Sequence, residues 1–373
     1  MVAAMSSVVF GLHHFRKCDS DIMKSSIEPV RIAMLGSGFV AGFYMQGLAD
    51  VPGQAVVANY SRSSERAASF AKQWKIPDPT IDLEGLISRG DIDLYVIALP
   101  NEEHLPVGLR LAQAGKNQVC TKPLGRNRDE ARQLRDAAVQ SGAIHGYAET
   151  EVFAPAVIKA RQTIEGGGIG KVLWVRSRES HSGPHSPHFW DAGLAGGGAM
   201  LDLGCHCIEA ARYLFGKEDK ILEVLAWGAT LVHGERTTGE DNALLVLRLA
   251  SGGIAHCEMS WTTKGGLDLR NEIHGSEGSI FTDVTRMTPI SAFTTKAAGY
   301  VVEKADIDFG WTKPLPEEAF TYGYQGEMKH FVACIRDGQQ PRETYEDGYV
   351  VNCILDAGYR SMRERAWVAV DYK

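Results

Sequence analysis

Three polar side chains, Lys122, Asp202 and His206, are of types and spacing that could do chemistry. Val119–Gly125 reads VCTKPLG, so Lys122 closes an apolar run and is followed at once by Pro123. Proline fixes its own φ and biases the preceding residue away from the helical region. The ammonium can therefore be aimed, and a surface lysine on a loop is the other reading of the same residues. Further on, Gly196–Glu209 reads GGGAMLDLGCHCIE, and this stretch predicts one helix running on to Leu214. Asp202 and His206 are then four residues apart and share a face, with Glu209 on nearly the same face one turn later. A carboxylate beside an imidazole suits proton abstraction, and it also suits a helix-stabilising contact in a buried interface.

A second constellation lies near the start. Arg31–Leu35 is a short apolar strand candidate that runs into Gly36-Ser37-Gly38-Phe39-Val40-Ala41 and then a helical stretch to about Leu48. In this G-x-G-x-x-A pattern Gly36 permits a tight turn and Gly38 lets the backbone approach a pyrophosphate. Ala41 lets helix and strand pack closely, and the helix N-terminus holds the anion. A second strand, Ala55–Tyr60, follows at the expected distance and ends in Ser61 and Arg62. An acidic residue there would hold a ribose 2′-hydroxyl. A hydroxyl and a guanidinium instead suit a 2′-phosphate, so the sequence leans to NADP, with NAD open if Arg62 is merely solvated.

The elements that must position these residues alternate. Leu94–Leu99 is a strand apolar on both faces, as in a parallel sheet. Leu99, Pro100 and Asn101 end it at the edge where ligands sit, and His104 either lines the cofactor site or begins the next helix, Leu105–Ala114. Gln118–Cys120 and Ile144–Tyr147 are further strands, and Arg128–Ser141 is a helix. Lys122 thus leaves the same sheet that holds the dinucleotide, and its ammonium can be aimed at the nicotinamide.

From about Glu149 the pattern changes. Val172–Ser177, Ala243–Leu249, Gly253–Trp261 and Arg270–His274 predict longer strands of a mostly antiparallel sheet. Glu149 and Glu151 follow the last strand of the first half and either enter the cleft or face solvent. The loop HSGPHSPHFWD, His181–Asp191, offers His181, His185 and His188 in an H-x3-H-x2-H array. Its prolines favour an irregular loop over a metal-binding helix, so the histidines are read as substrate contacts, with Phe189 and Trp190 as a stacking surface for a sugar ring. No metal is expected, there or at Cys205-His206-Cys207, whose spacing is too tight for a zinc clip. Tyr324–Asp337 and Thr344–Glu364 read as helices with a packing role only.

The 373 residues suggest two domains, and the net charge of −7 comes with both signs interspersed. No basic face for nucleic acid and no apolar run long enough for a bilayer is visible. Seven scattered cysteines read as reduced thiols in a cytoplasmic protein. Residues 1–28 fit no signal-peptide pattern and read as a flexible extension. The domains expected are 29–148 for the dinucleotide and 149–373 for substrate and oligomerisation, with the helix at about 344–364 packing back on the first.

Taken together, GSGFVA, ALPNEEH at Ala98–His104, AGKNQVCTKPLG, GGGAMLDLGCH, HFVACIRDG and ILDAGYRS resemble the Gfo/Idh/MocA oxidoreductases, from about Val30 to the C-terminus. The resemblance implies an α/β fold: an N-terminal Rossmann domain with a doubly wound parallel sheet, and a C-terminal α/β domain whose large open sheet forms a homodimer or homotetramer interface. It implies a catalytic set of Lys122, Asp202 and His206. The histidine takes a proton from a hydroxyl, the lysine stabilises the developing alkoxide, and the aspartate orients substrate or histidine. Thr121 departs from the family's Glu before the lysine. The implied activity is hydride transfer between NAD(P) and a secondary hydroxyl of a carbohydrate or cyclitol. Two other activities occur on such scaffolds: redox-neutral glycoside cleavage and non-catalytic regulation. Glu, His and Trp in the cleft, without an Arg cluster, point to a neutral polyol.

Overall fold

The computed structural model describes residues 28–286, 288 and 290–373; the extension expected at the N-terminus lies, but for Glu28, outside them. Six short strands form the first sheet: β1 (Val30–Leu35), β2 (Gln54–Tyr60), β3 (Asp78–Thr80), β4 (Leu94–Ile97), β5 (Gln118–Thr121) and β6 (His145–Ala148). Their order is β3-β2-β1-β4-β5-β6 and every pairing is parallel. This is the doubly wound arrangement, with its switch point between β1 and β4. All four residues of β4 are buried, as a strand covered on both faces requires. β3 escapes sequence reading because Asp-Pro-Thr carries no apolar alternation.

Gly36 ends β1 at that switch point with φ 130°, and a Cβ there would lie 2.2 Å from the Ala98 carbonyl oxygen. Only glycine fits both constraints. Asn59 in β2 is buried, and its amide donates to the carbonyls of Met34 and Gly36, at 3.0 and 2.7 Å. The turn is therefore braced from behind as well as sterically fixed.

The second sheet contains β7 (Val172–Ser180), β8 (Ile221–Ala229), β9 (Asn242–Leu249), β10 (Ile254–Ser260), β11 (Asp268–Gly275), β12 (Ser279–Asp283) and, after the small ribbon β13 (Ala292–Thr294) and β14 (Gly310–Thr312), β15 (Val368–Ala369). Its order is β12-β11-β7-β10-β9-β8-β15. Only β7 and β10 pair in parallel. One face packs against helices and holds Val175, Leu245, Leu247, Cys257 and Ile273 in a buried core.

Helix α1 (Phe39–Ala49) follows the glycine turn, α2 (Asn101–Gln113) follows β4, and α3 (Arg128–Ser141) follows the lysine loop. The single helix expected over Gly196–Leu214 is two: α4 (Ala199–Asp202) and α5 (Gly204–Phe215), hinged at Leu203. The cause is local. Lys122 Nζ and the Cys205 thiol both donate to the Asp202 carbonyl oxygen, at 2.9 and 3.1 Å, where an unbroken helix would use it for the His206 amide.

Two C-terminal helices close the molecule. α6 (Tyr324–Asp337) buries Met328, Phe331 and Val332 with Tyr44, Met45 and Leu48 of α1. α7 (Tyr345–Glu364) has two buried stripes. Tyr345, Tyr349 and Cys353 repeat every four residues and join the core of the first sheet. Val351, Ile354 and Leu355 join the core of the second. Between the stripes Asn352, fully buried, donates to the Gly125 carbonyl at 2.8 Å and accepts from its amide. One side chain thus pins the loop that follows Lys122.

Replacing Asn352 by Leu leaves both backbone groups of Gly125 without partners in a buried site, at a cost of about 1–3 kcal/mol each. Thermal unfolding should show a lower melting temperature than wild type. An unchanged melting temperature would mean that α7 does not hold this loop.

Candidate active site

A cavity of about 890 Å³ opens at the C-terminal edge of the first sheet and extends beneath the second. Its first end is the glycine turn. Gly36, Gly38, Phe39 and Val40 line it, with Ser61 and Arg62 at the tip of β2 and Leu99, Pro100 and Asn101 beyond β4. Gly38 caps α1 without a side-chain hydrogen bond, and the space where its Cβ would stand is open. The first amides of an 11-residue helix thus face a gap that backbone has not filled, which fits a dinucleotide pyrophosphate. Ser61 Oγ lies 2.9 Å from Ser37 Oγ, while the exposed Arg62 pairs with Glu103 at 3.1 Å and approaches Glu102 at 4.0 Å.

His104, expected as a cofactor contact, is elsewhere. Its ring is fully buried, 2.8 Å from the Pro123 carbonyl and 2.9 Å from that of Leu99. The helix α2 begins at Asn101, which turns this position inward. His104 therefore fastens the lysine loop to the end of β4 and does not line the cavity.

The other end of the cavity collects Lys122, Asp202 and His206. Lys122 Nζ donates to Asp202 Oδ1 at 3.0 Å and to its carbonyl oxygen. Trp261 Nε1 donates to Asp202 Oδ2 at 3.1 Å. Burial opposes both charges, but each answers the other. Burial is the largest effect on each, but Asp202 together with Glu179 and the hydrogen bond holds Lys122 above the usual lysine range, and Lys122 together with the neighbouring cationic groups draws Asp202 down to about 2. The pair stays ionised across the physiological range.

The sequence paired Asp202 with His206; the structure pairs Asp202 with Lys122 and gives the histidine a different carboxylate. His206 Nδ1 hydrogen-bonds Glu149 Oε1, and Glu149 is fully buried below the cavity rather than lining it. Asp202 and His206 both still face the cavity, but their side chains bond different partners. Glu209, expected near them, lies in a separate buried network with Arg212 and Lys217. With Nδ1 engaged by Glu149, Nε2 of His206 is the nitrogen left to the cavity, 3.8 Å from Glu179 Oε2. Burial pushes His206 down to about 4 and Glu149 up to about 8. The imidazole is therefore neutral, as a general base must be.

Of the remaining expected contacts, Glu151, His181, His185 and His188 line the cavity and Trp190 does not. Trp190 turns away, under Arg236 and against Trp261, because the short helical turn Pro187–Trp190 presents Phe189 instead. The three histidines have separate partners: His181 Nδ1 accepts from the Gly183 amide, His185 packs on Phe39, and His188 on Phe189. Sequence reading missed Glu179, Glu303, Lys304, Tyr322 and Tyr324, all in the lining. Tyr324 corrects the packing-only reading of α6. For Glu179 a signal existed. Val175, Ser177 and Glu179 alternate along β7 on its inward face, and a carboxylate there needs a reason. Thr121 accepts a hydrogen bond from buried Tyr44 at 2.8 Å beside Lys122.

A dinucleotide crevice that shares its cavity with an ion-paired lysine and a neutral histidine defines an oxidoreductase. Residues 30–148 match the oxidoreductase family with the NAD-binding Rossmann fold, and residues 157–281 match the GFO/IDH/MocA C-terminal domain. The chain belongs to the Gfo/Idh/MocA oxidoreductase family. It is 29% identical to levoglucosan dehydrogenase of Pseudarthrobacter phenanthrenivorans, over 92% of this chain and 99% of that protein. It is 27% identical to the NAD(+)-dependent scyllo-inositol 2-dehydrogenase of Bacillus subtilis, over 92% and 97%. Among solved structures, GenD2 from gentamicin A biosynthesis, in complex with NAD, superposes with a TM-score of 0.86 and 28% identity over 98% of this chain and all of that one. Levoglucosan dehydrogenase with NADH and levoglucosan gives 0.79 and 27%, over 92% of this chain and all of that one.

The buried Glu149–His206 pair carries an extra proton below the Glu149 value and loses it above. Only then does Nδ1–H face a carboxylate with Nε2 free to accept. Alcohol oxidation should accordingly rise with pH through about 8. Steady-state rates across pH should show this limb, and Glu149→Gln should abolish it. His206→Gln should lower turnover roughly a hundredfold or more while dinucleotide affinity, measured by titration, stays close to wild type. A wild-type rate in His206→Gln would remove the histidine from the reaction.

Proposed function

We propose that this protein oxidises a secondary hydroxyl of a sugar, sugar derivative or cyclitol, reversibly, with NAD(H). The observation that carries the reading is the shared cavity, with Lys122 and His206 at one end and the glycine turn at the other. The substrate hydroxyl sits between the Lys122 ammonium and His206 Nε2. The ammonium lowers the cost of the alkoxide that forms as His206 takes the proton. Asp202 keeps Lys122 charged and fixed, and Glu149 fixes the imidazole and stabilises its protonated form. When bound, the nicotinamide supplies the acceptor for the hydride leaving the carbinol carbon, so alcohol and oxidised dinucleotide give ketone, reduced dinucleotide and a proton. The relatives act on levoglucosan and scyllo-inositol by name, which supports a carbohydrate or cyclitol here.

The lean to NADP drawn from Ser61 and Arg62 gives way to NAD(H) in this proposal. Glu103 and Glu102 already neutralise Arg62 and would repel a 2′-phosphate. The assay is NADH or NADPH absorbance with levoglucosan, myo-inositol and scyllo-inositol. Oxidation of at least one with NAD, and at least tenfold more slowly with NADP, is the expected outcome. Glu103→Gln should narrow that gap. No reduction of either dinucleotide by any polyol or amino sugar would contradict the proposed activity.

The outward face of the second sheet is proposed to cover a second copy of the chain. Trp174, Trp227 and Phe281 are 45%, 49% and 68% exposed on it, large aromatic side chains that a partner surface would cover. Sedimentation should give a mass at least twice the 40.7 kDa of the chain, and a monomer would refute this face as an interface. No helix of the described residues is long and apolar enough to cross a membrane. Among the described residues six cysteines are free and buried, which supports a reducing compartment such as the cytoplasm.

A further inference from the structure

The substrate end of the cavity holds more carboxylate than the reaction uses. Glu151 is 2% exposed and Glu179 8%, and both line the cavity. Glu151 Oε1 accepts from Asn271 Nδ2 at 2.8 Å, while its Oε2 is buried with no hydrogen-bond partner. Glu179 Oε2 lies beyond hydrogen-bond reach of His206 Nε2, at 3.8 Å. The two lysines in the lining are committed elsewhere. Lys122 is held by Asp202, and Lys304 donates to the Gly183 carbonyl at 2.8 Å with Glu303 next to it in sequence. Among the described residues neither carboxylate is hydrogen-bonded to a lysine or arginine, although the Lys122 charge reaches Glu179 through space.

A buried carboxylate without a partner is costly, and two together cost more. A neutral polyol relieves this only partly, since each hydroxyl donates one hydrogen and brings no charge. An ammonium donates up to three hydrogens and cancels a charge. The surrounding wall is apolar and aromatic, with Leu267, Leu269, Tyr322 and Tyr324, which suits the C–H faces of a ring.

We propose that the substrate of this site is a cationic amino sugar or aminocyclitol, its ammonium held by Glu151 and Glu179 while a neighbouring hydroxyl is oxidised. This rests on the dehydrogenase reading above and replaces the neutral polyol expected from sequence with a charged one. The amine is not consumed; the hydroxyl carbon loses a hydride to the oxidised dinucleotide and the hydroxyl loses its proton to His206. Burial holds both carboxylates up at about 8 without a ligand, so each is poised to ionise when a cation enters.

The test uses the full chain saturated with NAD. Three pairs of probes differ in charge at one or two positions: glucosamine and glucose, galactosamine and galactose, 2-deoxystreptamine and myo-inositol. Binding is read by calorimetry, and oxidation by NADH absorbance in parallel. The aminated member of at least one pair should bind tenfold or more tightly than its partner, and Glu151→Gln should bring the two within about twofold. Glu179→Gln is the second variant, should Glu151→Gln fold poorly. Equal binding within every pair, no binding by any aminated probe, or a preference that survives both variants would overturn the proposal. If neutral members are oxidised in that case, the dehydrogenase reading stands and only the cationic substrate falls. If neither these probes nor the polyols named earlier reduce the dinucleotide, both fall.

Discussion

The buried ion pair between Lys122 and Asp202 is the contact on which the rest of the site depends. It joins residues 80 positions apart, one leaving the parallel sheet and one ending α4, through two hydrogen bonds from a single ammonium. Desolvating two charges is expensive, and removing one partner is more so. The protein therefore supports the pair on every side. Trp261 takes the second carboxylate oxygen, His104 sits against the Pro123 carbonyl, and Asn352 pins Gly125. These contacts reach both sheets and the C-terminal helix α7, so the position of one ammonium is a property of the whole fold.

The same pair explains why α4 and α5 are separate. Lys122 claims the Asp202 carbonyl as well as the carboxylate, so the helical hydrogen bonding is interrupted at Leu203. With both Asp202 carboxylate oxygens taken by Lys122 and Trp261, His206 bonds Glu149 instead. Two acid–base pairs result, with opposite states. Lys122–Asp202 is ionised and electrostatic, while burial keeps the His206 imidazole neutral and able to accept a proton. One cluster thereby holds a fixed positive charge and an empty proton site, the two needs of alcohol oxidation.

Much of this was legible in the sequence, and the rest was not for definable reasons. The glycine turn, Lys122-Pro123 and the strand–helix alternation are local signals, and α3 and α6 fall at the expected residues. Lys122, Asp202 and His206 line one cavity, although not in the pairing read from the sequence. Pairing depends on a carbonyl from one segment and an ammonium from another, and helical periodicity cannot report it. Glu149 and Glu151 were visible as acids near the end of β6, but their burial is decided by β7, β11 and α5. Trp190 and His104 were misplaced by single-residue choices of direction: a helix starting four residues early turns His104 inward, and a short helical turn presents Phe189 in place of Trp190. Glu179 was overlooked although strand alternation marked it.

The most direct measurement is a crystal structure of the complex with NAD and an oxidisable polyol or amino sugar. The account predicts a substrate hydroxyl within hydrogen-bond reach of both Lys122 Nζ and His206 Nε2, with its carbon about 3–3.5 Å from nicotinamide C4. A substrate bound with its hydroxyl away from both groups, or a nicotinamide directed out of the shared cavity, would contradict it.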